Sequence, residues 1–227
     1  MALSLVKLSI SSTVTNIGEA PCGGCAALSE IDVDAQNSYF QSADGVLFDK
    51  GMSNLLQFPG GKAGDFSVPQ GVKQIAYGAF SECAYLTNVF IPTSVTNVGN
   101  AAFYDSDGLS GVYFRGNAPA FGENVFDSGT LYYLTNTAGW NFVSENYSAA
   151  LWNPAIQLGS TNFNEEGEFN FDITGTPGIP IVVEACTNCG ARSWTPLQCL
   201  TLTNGLVHFT DLFSTNVLSR FYRIRAP

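Results

Sequence analysis

Residues 71–103 read GVKQIAYGAFSECAYLTNVFIPTSVTNVGNAAF, and as far as Phe114 the chain echoes itself. Val72, Ile75, Phe80, Leu86, Val89 and Ile91 return as Val95, Val98, Phe103, Leu109, Val112 and Phe114, each displaced by the same 23 residues. One short strand and its return path cannot bury an apolar face alone, whereas stacked copies share a core. The interval therefore predicts a solenoid of short β rungs. Ile75, Phe80, Leu86, Val89 and Ile91 should point inward beside Val98, Phe103, Leu109 and Val112.

An earlier copy uses the same offsets, with Val14, Ile17, Leu28, Ile31 and Val33 in place, Cys22 at the Phe position and Cys25 where Cys83 stands. From Val33 the next equivalent strand end is Val68, 35 residues on, so an insertion of twelve residues separates these rungs. Leu5, Leu8 and Ile10 fit the end of a further unit, and the chain is expected to open within a repeat. Gly116 to Tyr133 reads as a shortened last rung, with Val125 and Phe126 as its core step and Leu131 to Leu134 as its edge strand. A solenoid end must cover exposed core and backbone. Trp140, Phe142, Tyr147, Leu151 and Trp152 are the candidates.

Together these positions resemble the bacterial surface type of leucine-rich repeat, found in treponemal and Bacteroidetes adhesin-like proteins. Ala79, Phe80 and Cys83 match its Ala-Phe-x-x-Cys step, Leu86, Val89 and Ile91 its strand, and Pro92, Val95 and Val98 its exit. Asn37, Tyr39, Asp44 to Phe48, and Phe58 to Gly60 follow the family's longer variant unit. The likeness covers about residues 5 to 143. Pro21, Cys22 and Ser106 depart from the usual Ala, Phe and Cys. The resemblance implies a secreted or cell-surface, adhesin-like repeat protein.

The organisation expected is a mainly β chain: residues 1–143 a leucine-rich repeat solenoid, 144–168 a capping segment and linker, and 169–227 an antiparallel β module. The repeat stops after Trp140, and Asn, Ser and Glu accumulate around Pro154. From Phe169 the pattern becomes short alternating strands. Gln198–Thr203 and Leu206–Thr210 flank Asn204-Gly205, a strong hairpin signal that would set Leu202 opposite Val207 and Leu200 opposite Phe209. A small sandwich or partly open barrel should result. The segment resembles the C-terminal β module of large secreted proteins from Verrucomicrobia and related bacteria, through Phe171, Ile173, Gly175, Val182, Glu184, Trp194, Leu197, Phe209, Asp211 and Phe221 to Arg225. That likeness implies no chemistry.

Nine basic and nineteen acidic residues leave a formal charge of -10. Up to Glu168 the balance is five against sixteen. Such a surface repels phosphate backbones and anionic membrane faces, so nucleic acid is not an expected partner. No stretch of eighteen apolar residues and no basic leader with a long apolar core occurs, so membrane insertion is not expected. Both resemblances imply an extracellular or cell-surface location. Arg220, Arg223 and Arg225 read as solvating an edge strand or pairing with the acidic solenoid.

Cys186, Cys189, Cys199 and His208 form the sharpest chemical set. Three thiolates and one imidazole suit tetrahedral zinc. A disulfide among the three cysteines and unlinked thiols are the alternatives, and neither metal nor cofactor is expected. Cys25 and Cys83 read as buried free thiols. A Cys199–His208 dyad lacks an orienting carboxylate. Asp105, Asp107, Glu165 and Glu166 lie in turns and a linker rather than as the opposed pair that glycoside hydrolysis needs, and Gly60-Gly61-Lys62 lacks the spacing of a phosphate loop. A non-enzymatic recognition protein is therefore expected, with a carbohydrate-active hydrolase or a purely structural module as alternatives. Its contact face would be the outward ladder of Asn88, Phe90, Gly111, Tyr113 and Tyr132, whose aromatic stripe suits an extracellular protein or a glycan.

Overall fold

A computed structural model describes residues 4–188, 190, 193–214 and 219–227, without the side chains of Phe142, Ser144 and Glu145. The chain divides into two compact units, one ending at Ala149 and one beginning at Ala150.

The first unit is the solenoid. β1 (Lys7–Ile10) and β2 (Glu30–Val33) pair in parallel, followed by β3 (Phe40–Ala43), β4 (Val46–Asp49) and β5 (Asn54–Gln57). The regular rungs alternate between β6 (Gly64–Ser67), β8 (Leu86–Ile91), β10 (Gly111–Phe114) and β12 (Thr130–Tyr133) on one side, and β7 (Gln74–Ile75), β9 (Asn97–Val98) and β11 (Ala120–Phe121) on the other. α1 (Trp140–Asn146) and β13 (Ala149–Leu151) follow. One sheet runs β13-β12-β10-β8-β6 and the other β11-β9-β7-β5-β4-β3. The register repeats the sequence interval, since Asn88 faces Gly111 and Phe90 faces Tyr113. At β12 the step shortens, Gly111 facing Thr130, as the truncated last rung predicts.

Each inward residue named from the 23-residue interval is buried. At the centre Phe80 and Phe103 stack with ring centroids 4.7 Å apart, and Phe103 and Phe126 at 4.9 Å. Phe58 extends this column at 5.2 Å from Phe80, a role hidden because it lies inside the insertion. Ser106, which replaces the repeat's Cys, donates from its hydroxyl to the Phe80 carbonyl at 2.6 Å and accepts the Cys83 N–H at 3.2 Å. Polarity at this inward position is tolerated because both bonding capacities are used.

The turns repeat as well. Gly78, Ala101 and Asn124 occupy one equivalent left-handed position, with φ of 59°, 53° and 50°. Only glycine adopts this conformation without a steric cost of about 1–2 kcal/mol. Ala101→Gly is accordingly expected to stabilise the solenoid by about 1 kcal/mol in urea titration, less the entropy that glycine gains in the unfolded chain.

The insertion departs from the parallel pattern. β3 and β4 form an antiparallel hairpin closed by Asp44 (φ 51°) and Gly45 (φ 74°), the pair of positive-φ residues that a two-residue turn requires. Asn37, 1% exposed, anchors this excursion. Its amide nitrogen donates to the carbonyls of Ser11 and Val14, and its Oδ1 accepts the N–H groups of Tyr39 and Phe40. Trp140 is buried and Tyr147 packs against the same core, as expected of end covers. The Phe142 side chain lies outside the described residues.

The second unit holds β14 (Ala155–Phe163), β15 (Phe169–Thr174), β16 (Pro180–Cys186), β17 (Thr195–Thr201), β18 (Leu206–Asp211) and β19 (Phe221–Arg225), in two antiparallel three-stranded sheets ordered β14-β15-β18 and β17-β16-β19. Two expectations need correction. Residues 144–168 carry β13 and β14 rather than an irregular linker, and β14 pairs with β15 through Ile156 and Ile173. Trp152 belongs here too, donating its indole N–H to the Pro180 carbonyl at 3.0 Å.

The second correction concerns Asn204-Gly205, which does not close a hairpin. Leu200 faces Ile181 on β16, whereas Phe209 faces Phe171 and Val207 faces Ile173 on β15. Gly205 adopts a φ of 77°, so the turn is real. It carries the chain from one sheet to the other, which lets Leu202 and Phe209 bury fully on opposite layers.

Candidate functional site

Phe90, Tyr113 and Tyr132 occupy one cross-strand row of β8, β10 and β12. Phe90 and Tyr113 stack at 5.2 Å and Tyr113 and Tyr132 at 4.7 Å, with planes within 20°. This spacing is that of neighbouring strands, so the ring faces look along the solenoid axis and meet one another. Tyr113 is sandwiched on both faces and 6% exposed, and Tyr132 is 9% exposed. The expected stripe exists, but only Phe90, at its end, is half-buried. Gly111 makes the arrangement fit: a Cβ there would meet Cε2 of Tyr113 at 2.8 Å and of Tyr132 at 3.1 Å. The signal for this role in the sequence is a glycine two residues before an aromatic, Gly111 before Tyr113.

The Tyr113 hydroxyl is buried and has no hydrogen-bond partner among the described residues. Burial, with the neighbouring Tyr132 and Asp65, pushes that phenol well above its ordinary pKa. Burial also raises Tyr132, a shift that the Thr130 side chain partly offsets. Beside the column lies a polar row. Asp65 Oδ1 accepts the Thr87 hydroxyl at 2.7 Å and the Asn88 amide at 2.8 Å. A carboxylate organised by two donors and a half-buried ring thus lie on the adjacent strands β6 and β8.

The described members of the candidate zinc set, Cys186, Cys199 and His208, are not brought together. His208 lies on β18, where its Nδ1 bonds Asp172 Oδ1 at 2.8 Å across the strand pair. Cys199 lies in the other sheet, facing Val182, four residues along β16 from Cys186. At about 3.3 Å per residue this separates the two thiols by roughly 13 Å. Cys189 lies outside the described residues. Among the described residues no three His, Cys, Asp or Glu side chains gather as a metal site. The Asp172 partner was missed because the assumed hairpin placed β18 beside β17.

Cys22, Cys25, Cys83, Cys186 and Cys199 are free thiols. Burial, with a smaller contribution from Cys25, pushes Cys22 up to about 11, and burial, with Glu82, pushes Cys83 up to about 12. The thiolate is the reactive form. Iodoacetamide at pH 8 is therefore expected to label exposed Cys199 within minutes and leave Cys22 and Cys83 unmodified until the protein unfolds, as peptide mass mapping would show.

The terminal arginines pair within their own module. Arg220 bonds Asp211 at 2.7 Å. Arg223 and Arg225 both clamp Glu184, at 2.7 and 2.6 Å, and Trp194 covers the Arg223 guanidinium at 4.4 Å. Burial alone would raise the Glu184 carboxyl, but hydrogen bonds and charge from the two arginines outweigh it and hold the group below the usual carboxylate range. Its stabilising contribution is therefore full above the unfolded pKa of about 4.3 and falls away as pH drops through the lower folded value. Glu184→Gln should lower the melting temperature at pH 7 and flatten its decline between pH 5 and 3. An unchanged acid profile would contradict the clamp. Asp105, Asp107, Glu165 and Glu166 are exposed turn residues.

This architecture is a leucine-rich repeat solenoid followed by an antiparallel β module. Residues 57–165 match the BspA type leucine-rich repeat region in six copies. A leucine-rich repeat protein from Eubacterium ventriosum has a similar solved structure, with a TM-score of 0.53 and 26% identity over 59% of this chain and 37% of its own. The pneumococcal vaccine antigen PcpA gives a TM-score of 0.45 and 22% identity over 56% of this chain and 38% of its own. The chain thus spans well under half the length of these two proteins. No curated protein matches it. β1 and β2 precede the matched residues, and their place in the stack rests on register, Lys7 facing Glu30 and Ile10 facing Val33. No helix among the described residues is long and apolar enough to cross a membrane.

Proposed function

We propose that the chain is a non-enzymatic recognition module of an extracellular or cell-surface, adhesin-like protein, and that it contacts its partner through the β6–β8 margin of the ladder sheet. The observation carrying this reading is half-buried Phe90 on β8 with, on the adjacent strand β6, the Asp65 carboxylate that Thr87 and Asn88 hold in place. Tyr113 and Tyr132 act behind them as a stacked support that fixes the Phe90 ring. An aromatic face beside an oriented acceptor suits an extracellular protein or a glycan, since a rigid ring supplies contact area at little entropic cost. The match to the BspA type leucine-rich repeat region supports the location.

A glycan and extracellular-protein array on the intact chain tests the assignment. Binding should drop at least tenfold in both Phe90→Ala and Asp65→Asn, with melting temperatures preserved. Undiminished binding after both changes would remove this face from consideration.

A further inference from the structure

We infer that a second recess, between the exit turns of β8, β10 and β12, binds the carboxylate of an acidic sugar. The recess has a volume of about 420 Å³, within the range of small-molecule sites. Arg115 lines it, together with Thr93, Thr96, Asn117 and Thr137, over a floor of Val95, Ala118 and Pro119.

Charge singles this recess out. In a solenoid unit with five basic residues against thirteen acids as far as Ala149, its lining contains no carboxylate. Three of the unit's other four cations are already engaged: Lys7 pairs with Glu30 and Asp32, Lys62 with Asp44, and Lys50 donates to the Ala35 carbonyl. Arg115 is exposed and has no ion pair among the described residues, nor has Lys73, one rung away, whose carbonyl accepts the Thr96 N–H. An uncommitted guanidinium presents a planar fork that matches a carboxylate through two parallel hydrogen bonds.

The surrounding groups favour a sugar acid over a peptide terminus. Asn117 spends its Oδ1 on the Ala138 N–H, which leaves its amide nitrogen as a donor towards the recess. Thr137 donates its hydroxyl proton to the Leu134 carbonyl, so its oxygen remains an acceptor. Thr96 likewise keeps acceptor capacity after donating to Lys73 O or Asn97 Oδ1. Donors and acceptors thus ring an apolar floor, an arrangement complementary to a pyranose whose C–H face lies down while its hydroxyls point sideways. The site stands apart from the Phe90–Asp65 margin, and neither reading depends on the other.

Amide-resolved NMR titration of the full chain with D-glucuronate, D-glucose and N-acetylalanine tests this assignment. Glucuronate should give saturable shifts at Thr96, Gly116, Asn117, Ala118 and Thr137 at millimolar concentration. Glucose, lacking the carboxylate, and N-acetylalanine, lacking the ring, should bind at least tenfold more weakly. Arg115→Gln should cost about tenfold in glucuronate affinity, the loss of one charge-assisted pair. Asn117→Asp keeps the acceptor for Ala138 but sets a like charge beside the ligand, and should abolish saturation. Equal binding of N-acetylalanine or of glucose, an affinity unaltered in Arg115→Gln, or an absence of saturable shifts would each overturn the site.

Discussion

Phe103→Ala is expected to destabilise the solenoid by about 3–5 kcal/mol in urea titration, with the midpoint shifted and the slope retained. Phe103 is fully buried between Phe80 and Phe126, whose rings stack on its two faces. Truncation removes the apolar transfer term and leaves a void that backbone bonds on either side prevent from closing. The Phe80 N–H donates to Ala102 O, and the Phe103 N–H to Val125 O. Because each rung meets only its neighbours, the loss should propagate along the stack rather than remain local. Asn88→Ala, at a half-exposed ladder position, is the matched control and should cost less than about 1 kcal/mol. Equal effects of the two changes would refute the inward register.

Asn37→Ala should rank next, at about 4 kcal/mol. Four bonds converge on this one buried amide. Each contributes about 0.5–1.5 kcal/mol net, and their removal leaves the Tyr39 and Phe40 N–H groups and the Val14 carbonyl short of these partners, while the Ser11 carbonyl keeps the Val14 N–H. Native-state hydrogen exchange at Tyr39 and Phe40 gives the direct readout. Their amides should lose protection in the variant while that of Val112, in the regular rungs, keeps it. Uniform loss would mean that the insertion is not a separate element.

What the sequence disclosed and what it concealed divide along physical lines. Inward positions were legible because stacking demands the same residue type at a fixed interval, and Val89 with Val112 or Phe80 with Phe103 meets that demand. The left-handed turn positions were not, because Ala101 and Asn124 stand where Gly78 alone carries the usual signal. Asp44-Gly45 and Asn204-Gly205 show why a dipeptide does not decide topology. Both supply positive φ, but only the first joins strands that pair with each other. In the second unit the apolar residues flanking the turn bury on different layers, a fact of tertiary packing that local pattern does not contain. At the candidate face the aromatic row was predictable from register. Its near-complete burial was not, since it depends on rings leaning over Gly111.

The insertion also sets how the molecule comes apart. Ile10, Cys22, Leu28, Ile31 and Leu47 form one apolar cluster, and the run from Val46 to Val143 forms another. Leu47 and Phe48, neighbours in β4, belong to different clusters. A stack with such a seam behaves as two springs in series rather than one rod. Force applied at the amino-terminal end meets the small cluster first, so the first rungs peel away while the phenylalanine column still holds. On the proposed reading of a surface protein, that yields a graded tether: slack is released in an early step, and the proposed contact face on β6 and β8 remains folded under load.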